Sequence, residues 1–152
     1  MALRFGINGL GRIGRALIRV AATRPELGLE LAAANDSADP RQLARLLRHD
    51  TVHGIFPLEV ASREGCLVLA GRSVPLTRAP TPPEIDWRAH GVEVVLEATG
   101  KFRRRDLAAG HLRDPGGSVR QVVVSATMSD AYVTVYLGIN DPDLDPARQR
   151  VI

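Results

Sequence analysis

Six residues near the start of the chain, Gly9-Leu10-Gly11-Arg12-Ile13-Gly14, carry glycine at the first, third and sixth places. That spacing suits a phosphate-binding turn. Gly9 allows a tight turn off a preceding strand. Gly11 lets the backbone approach a pyrophosphate with no Cβ in the way, and Gly14 lets a helix pack closely on the strand. Amides at the helix start then face the phosphates, with the helix dipole favouring negative charge, and Arg12 adds a cation nearby. Asp36 follows 22 residues after Gly14, close to the roughly 20 expected for a ribose-binding acid. Its carboxylate would accept from the adenosine ribose hydroxyls and repel a 2′-phosphate, favouring NAD over NADP. Arg41 could in principle reach a phosphate, which keeps that preference open. Plainer readings also fit: an ordinary strand-to-helix turn for the glycines, and for Asp36 a turn cap ahead of a helix at Asp39.

A phosphate-binding turn needs a strand before it and a helix after it, and the flanking residues predict both. Residues 3–8 read as a strand, and Ile13, Ala16, Leu17, Val20 and Ala21 recur at helical spacing over 12–22. Pro25 and Gly28 stop that helix, and 29–35 reads as a second buried strand ending beside Asp36. Asp39-Pro40 is a helix start, a cap followed by proline, with Leu43, Leu46 and Leu47 as its apolar stripe. Short candidate strands at 58–61, 66–69 and 73–76, punctuated by Gly65 and Gly71-Arg72, predict an antiparallel insertion. The proline-rich 79–83 is a loop by composition. Further on, 92–96 reads as a strand and 104–112 as a helix ended by Pro115-Gly116-Gly117; 119–124 and 133–137 are β-rich. Strands alternating with helices predict an α/β fold: one domain over 1–152, with a Rossmann-type mostly parallel sheet, helices on both faces and a small antiparallel insertion.

Composition agrees and excludes other classes. Of 152 residues, 45% are hydrophobic and only 4% aromatic, so the core must come from Val, Leu, Ile and Ala, which suits a helix-covered parallel sheet. The net charge of +3 raises the question of nucleic acid. The arginines, however, are scattered among acids, and the run Arg103-Arg104-Arg105 ends at Asp106. Without interleaved aromatics there is no stacking platform, which argues against a dedicated nucleic-acid site. Cys66 is the sole cysteine, excluding an intramolecular disulfide. No run approaches the ~20 apolar residues of a membrane span, and the N-terminus enters a strand with no signal-peptide layout. The expected location is cytoplasmic.

The stretch Phe5-Gly6-Ile7-Asn8-Gly9-Leu10-Gly11-Arg12-Ile13-Gly14-Arg15 is more specific than the generic glycine pattern. It resembles the opening of phosphorylating glyceraldehyde-3-phosphate dehydrogenases. Ala34-Asn35-Asp36, Leu46-Leu47-Arg48-His49-Asp50-Thr51-Val52-His53-Gly54, Glu97-Ala98-Thr99-Gly100-Lys101-Phe102, Val124-Ser125-Ala126 and Leu137-Gly138-Ile139-Asn140 resemble later blocks, in order. The resemblance implies an NAD-binding domain in which Arg12 and Ile13 contact the pyrophosphate. Asp36, with Asn35 in the same block, serves the adenosine ribose. Thr99 and Gly100 line the nicotinamide-side ribose and phosphate region, and Ser125 lies near the nicotinamide. A related phosphorylated-aldose dehydrogenase, acting on erythrose 4-phosphate, and a non-enzymatic nucleotide-binding module are the alternatives.

Some positions depart from the family pattern. Where the family has Glu-Arg-Asp-Pro near the adenine, this chain has Ala79-Pro80-Thr81-Pro82, and Arg78 substitutes only if the loop shifts. Thr127 stands for the usual proline, and His49 for the usual tyrosine. The family's Ser-x-x-Cys-Thr-Thr-Asn segment and its activating histidine would come after Ile152, so these residues are expected to bind nucleotide without turnover. Cys66 is a poor stand-in for that nucleophile, and His53 reads as structural. Full-length family members are homotetramers, so the expected partners are a catalytic half or further copies.

Overall fold

The computed structural model describes residues 2–113 and 117–152. The chain opens with strand β1 (Leu3–Asn8), helix α1 (Arg12–Thr23), strand β2 (Leu29–Asn35) and helix α2 (Pro40–Arg48), as the sequence predicts. Asp39 caps α2, its carboxylate accepting from the amides of Arg41 and Gln42, with Pro40 opening the first turn. A small separate hairpin, β3 (His49–Asp50) with β4 (Gly54–Ile55), precedes β5 (Val60–Arg63), β6 (Cys66–Leu69) and β7 (Arg72–Thr77). The chain then forms β8 (Val94–Glu97), a single helical turn α3 (Arg105–Ala108) and β9 (Gln121–Val124).

The seven-stranded sheet has the order β5-β6-β7-β2-β1-β8-β9. β7, β2, β1, β8 and β9 pair in parallel, while β5, β6 and β7 pair antiparallel. The antiparallel insertion is therefore continuous with the main sheet: Ala34 pairs with Leu76 and Asn35 with Thr77. Two tight turns set its register, Glu64-Gly65 and Ala70-Gly71, with all four residues at positive φ. Such turns match the twist of the flanking strands. They carry the first insertion strand two residues beyond its predicted start.

Two other expectations need correction. Residues 133–137 form no strand. The place beside β9 is taken by Val151, which bridges Val122 in parallel, so the alternating side chains of 133–137 gain no ladder there. The predicted helix 104–112 is one α turn that tightens into a 3-10 stretch at Ala109–Arg113. At its centre Gly110 packs so closely on Pro82 and Pro83 that a Cβ would lie 3.0 Å from the Pro83 ring. Its predicted stop at Pro115-Gly116 lies outside the described residues.

Alternation along the strands sorts the core into two layers. Phe5, Ile7 and Ala34 pack with Ile18 of α1 and Leu43 and Leu47 of α2 on one face. Ala33, Val92, Val95 and Val122 pack with Trp87 and Ala108 on the other. The aliphatic core is as expected except for Trp87, the largest fully buried side chain. Gly6 makes room for it, since a Cβ at that position would stand 2.6 Å from the indole ring. Gly6→Ala is therefore expected to destabilise the fold by about 1–3 kcal/mol, the usual cost of overpacking, with urea denaturation as the measurement. An unchanged midpoint would mean that the indole has room to move.

Candidate functional site

A cavity of about 370 Å3 opens where β1, β2 and β8 end, lined by Asn8, Gly9, Gly11, Asn35, Asp36, Ser37, Ala79, Pro80, Ala98, Thr99, Lys101 and Phe102. Its position follows from topology. β2 and β8 flank β1 on opposite sides, so the loops leaving β1 diverge from those of its neighbours and leave a crevice at their carboxyl ends.

The glycine loop is held around one residue. The Leu10 side chain is buried, its amide donates to Asp36 Oδ2 at 2.7 Å, and its carbonyl accepts from Arg15 Nη1 at 2.9 Å. Gly9 takes φ +96° and lies so close to the chain after β8 that a Cβ would stand 2.7 Å from the Thr99 nitrogen. A Cβ on Gly14 would stand 2.2 Å from the Gly9 carbonyl, so the helix can start this close only with glycine there. Gly11 differs: the nearest protein atom to its Cβ position is the Ala98 carbonyl at 4.0 Å. That clearance faces the cavity. Unlike α2, α1 begins without a side-chain cap, leaving its first-turn amides to other acceptors.

Asp36 serves two amides. Oδ2 accepts from Leu10 and Oδ1 from Ala38 at 2.9 Å, so the turn-capping reading of this residue is part of its role. Each oxygen keeps a lone pair for a ligand.

Beneath the cavity runs a row of buried polar groups. Asn35 Oδ1 accepts from the Ala79 amide at 2.8 Å and the Thr77 hydroxyl at 2.7 Å, so its amide nitrogen turns to Asn8 Oδ1, also at 2.8 Å. Asn8 in turn donates to Glu97 Oε2 at 2.6 Å. His111 Nε2 reaches the same oxygen at 3.0 Å, and Trp87 Nε1 donates to His111 Nδ1 at 3.0 Å. Glu97 Oε1 accepts from both the amide and the hydroxyl of Thr99, the amide at 2.8 Å. Burial raises the Glu97 pKa, but the donors from His111, Thr99 and Asn8 outweigh it and hold the carboxyl below its ordinary 4.5.

Of the residues expected from the sequence, Gly9, Gly11, Asn35, Asp36 and Thr99 share the cavity wall. Gly14 acts behind it by close packing. Arg12, Ile13, Arg78 and Gly100 lie outside the lining, and the cation in the wall is Lys101, the only lysine of the chain. Arg78 is exposed and donates to the Ser37 carbonyl at 2.6 Å, bracing the loop after β2. Ser125 lines a separate concavity with residues of 123–136 and Ile152, although its amide bonds the Glu97 carbonyl at 3.0 Å. Arg41 faces another hollow, with Arg45 and Arg48. The His53 side chain is exposed, while its amide donates to Asp50 Oδ1 at 2.9 Å and its carbonyl accepts from Arg19. Cys66 sits half-buried at the start of β6 and lines none of this cavity. Sequence reasoning missed Asn8, Glu97, His111 and Arg15. A signal for the first two was available: each is a polar residue closing a parallel strand directly after an apolar stretch.

A profile of the family described as glyceraldehyde 3-phosphate dehydrogenase, NAD binding domain, matches residues 3–105. The chain belongs to this family. Glyceraldehyde-3-phosphate dehydrogenase 1 of Bacillus cereus is 41% identical over 149 residues, covering 98% of this chain and 43% of the relative. The Bacillus subtilis protein of the same name is 38% identical and the Geobacillus stearothermophilus glyceraldehyde-3-phosphate dehydrogenase 37%. Each covers all of this chain and 44% of its own length. The chain thus spans less than half the length of these relatives. As a member of an NAD-binding domain family its cofactor is NAD, and the cavity fits that group: an uncapped helix start, a cleared Gly11 and a carboxylate with free lone pairs. No helix among the described residues is long and apolar enough to cross a membrane.

The lowered Glu97 pKa carries a sign for stability. The folded value lies below the unfolded one, so the ionised group stabilises the fold fully above about pH 4.5, and this is lost as pH falls through the folded value. In urea denaturation at decreasing pH, wild type should lose stability more steeply than Glu97→Gln below that point. Asp50 and Asp106, whose pKa values are also lowered, are present in both proteins, so the difference reports Glu97. Parallel acid limbs would show that Glu97 is not ionised in the fold.

Proposed function

We propose that these 152 residues are one cofactor-binding domain that lays NAD across the end of β1, with the adenosine ribose on Asp36 and the nicotinamide half over the Thr99 side. The observation that carries this reading is the Asp36 carboxylate. It braces the glycine loop through Leu10 and still offers a lone pair from each oxygen to the cavity the loop lines. Two vicinal ribose hydroxyls are the complementary donors, and a 2′-phosphate would meet a negative charge. The pyrophosphate lies beside Gly11 at the uncapped start of α1, with the backbone of Arg12 and Ile13 in its first turn and Lys101 in the opposite wall. Gly100 follows Thr99 on the nicotinamide side, and Ser125, in the neighbouring concavity, is tied to that side through the Glu97 carbonyl. The adenine rests against Ala79 and Pro80, with Arg78 holding the Ser37 loop at its edge.

The reaction served is the oxidation of glyceraldehyde 3-phosphate, in the cytoplasm, for which the nicotinamide supplies a hydride acceptor. These residues bind and orient the cofactor. The nucleophilic cysteine and activating histidine belong to the family's catalytic half, because Cys66 stands between β5 and β7 in the antiparallel part of the sheet, away from the cavity. The exposed Tyr136, Leu137 and Ile139 support contact with such a half or with further copies of the chain.

Calorimetric titration with NAD and with NADP tests the reading. Asp36→Asn keeps an oxygen for the Leu10 amide while removing the charge, with loss of the bond from the Ala38 amide. Wild type should bind NAD more tightly than NADP. The variant should lose on the order of tenfold in NAD affinity, as for one charge-assisted hydrogen bond, and should discriminate less between the two. Equal binding of NAD and NADP by wild type would overturn the assignment of Asp36 to the ribose.

A further inference from the structure

The polar row beneath the cavity has a direction. From Asn35 through Asn8 on one side and from Trp87 through His111 on the other, donors run toward Glu97, whose four acceptor positions are taken by Asn8, His111 and two donors from Thr99. An indole N–H can only donate. Trp87 therefore makes His111 Nδ1 the acceptor and leaves the ring proton on Nε2, aimed at Glu97. With the carboxylate as sink and the ring fixed behind it, neither Asn8 nor the Thr99 hydroxyl can reverse without opposing a donor to a donor or an acceptor to an acceptor. A hydroxyl has one proton and two lone pairs. Thr99 gives its proton to Glu97, and one lone pair takes the Lys101 amide at 3.1 Å. What remains for the cavity is one lone pair.

We propose that Glu97 is a specificity-determining positioning residue: it makes Thr99 Oγ an acceptor only, so that this wall selects a ribose hydroxyl and rejects a phosphate oxygen. The inference rests on the nucleotide-binding reading above and sharpens it at one point. A phosphate oxygen that is not protonated would set lone pair against lone pair at Thr99. A ribose hydroxyl brings the proton that completes the bond. Asp36 and Thr99 stand on opposite sides of β1, at the ends of β2 and β8, so the hydroxyl concerned belongs to the ribose farther from Asp36, the nicotinamide ribose. The phosphates are left to the glycine loop between them. His111 and Trp87 touch no ligand in this arrangement and act through Glu97.

The test is a double-mutant cycle between protein and ligand. Wild type, Thr99→Val and Thr99→Ser are titrated calorimetrically with AMP, NAD and an NAD whose nicotinamide ribose lacks its hydroxyls. Wild type should lose on the order of tenfold in affinity for the deoxygenated NAD. Thr99→Val should bind NAD about as weakly as that, with no further loss when the hydroxyls are absent, and Thr99→Ser should restore wild-type behaviour. Glu97→Gln should weaken NAD by a similar factor and leave AMP, which reports the Asp36 side, within about twofold. Independent, multiplying losses in the Thr99→Val cycle would overturn the acceptor assignment, and so would an equal loss of AMP in Glu97→Gln. If Glu97→Gln does not fold, the Thr99 cycle still decides whether a hydroxyl is read there. Nitrogen NMR of the wild-type imidazole must also show the proton on Nε2; a proton on Nδ1 would overturn the positioning role. Failure of wild type to bind either AMP or NAD would instead sink the nucleotide reading itself.

Discussion

A carboxylate with almost no exposed surface, at 1%, is tolerable in the interior only if its charge is met by hydrogen bonds, since desolvation alone would neutralise it. At Glu97 four donors meet that requirement, and they come from three different parts of the chain: the end of β1, the turn after β8 and the 3-10 stretch beyond α3. The carboxyl ends of the central strands are thus tied together at the level where the cavity begins. Asn8 passes the order on to Asn35, and Asn35 to Thr77 and Ala79. The row crosses four adjacent strands, so the loops above it leave from a fixed edge.

The glycine loop stands on this edge and has its own fastening. Leu10 is held by its side chain in the core, by its amide on Asp36 and by its carbonyl on Arg15. Asp36 therefore also shapes the glycine loop, and these two parts of the cavity wall are mechanically one. Removing the Asp36 carboxylate altogether disturbs both. A change of charge that keeps an oxygen can keep the Leu10 bond.

A second buried charge shows the same economy away from the cavity. Arg19, on α1, turns inward and donates to the carbonyls of Leu47 at 2.8 Å and Gly54 at 2.9 Å, with Phe56 beneath its guanidinium at 5.0 Å to the ring centroid. It satisfies carbonyls at the end of α2 and the β3–β4 hairpin that no helix bond reaches. Periodicity over α1 marks its apolar stripe and passes over Arg19, because a buried arginine carries no apolar signal. The same blindness hides His111, whose neighbours in sequence say nothing of the indole and carboxylate it meets in space.

Local features of the sequence were enough for the elements that lead to the site. Strand, glycine turn, helix, second strand and acid follow one another at spacings set by backbone geometry, and each is readable from its own residues: Gly9 and Gly14 from required close approach, Asp39-Pro40 from the needs of a helix start. Family resemblance placed Thr99 in the same crevice. Other features depend on what lies alongside. Residues 133–137 have the composition of a strand but lack its place, which Val151 occupies beside β9. Helix 104–112 shortens where Gly110 meets two prolines. Arg12 belongs to the motif while Lys101 stands in the wall. The direction of every hydrogen bond under the cavity is likewise tertiary. A side chain such as Asn8 or Thr99 can turn either way until a neighbour distant in the chain, here Glu97 with Trp87 and His111 behind it, leaves only one orientation that pairs each donor with an acceptor.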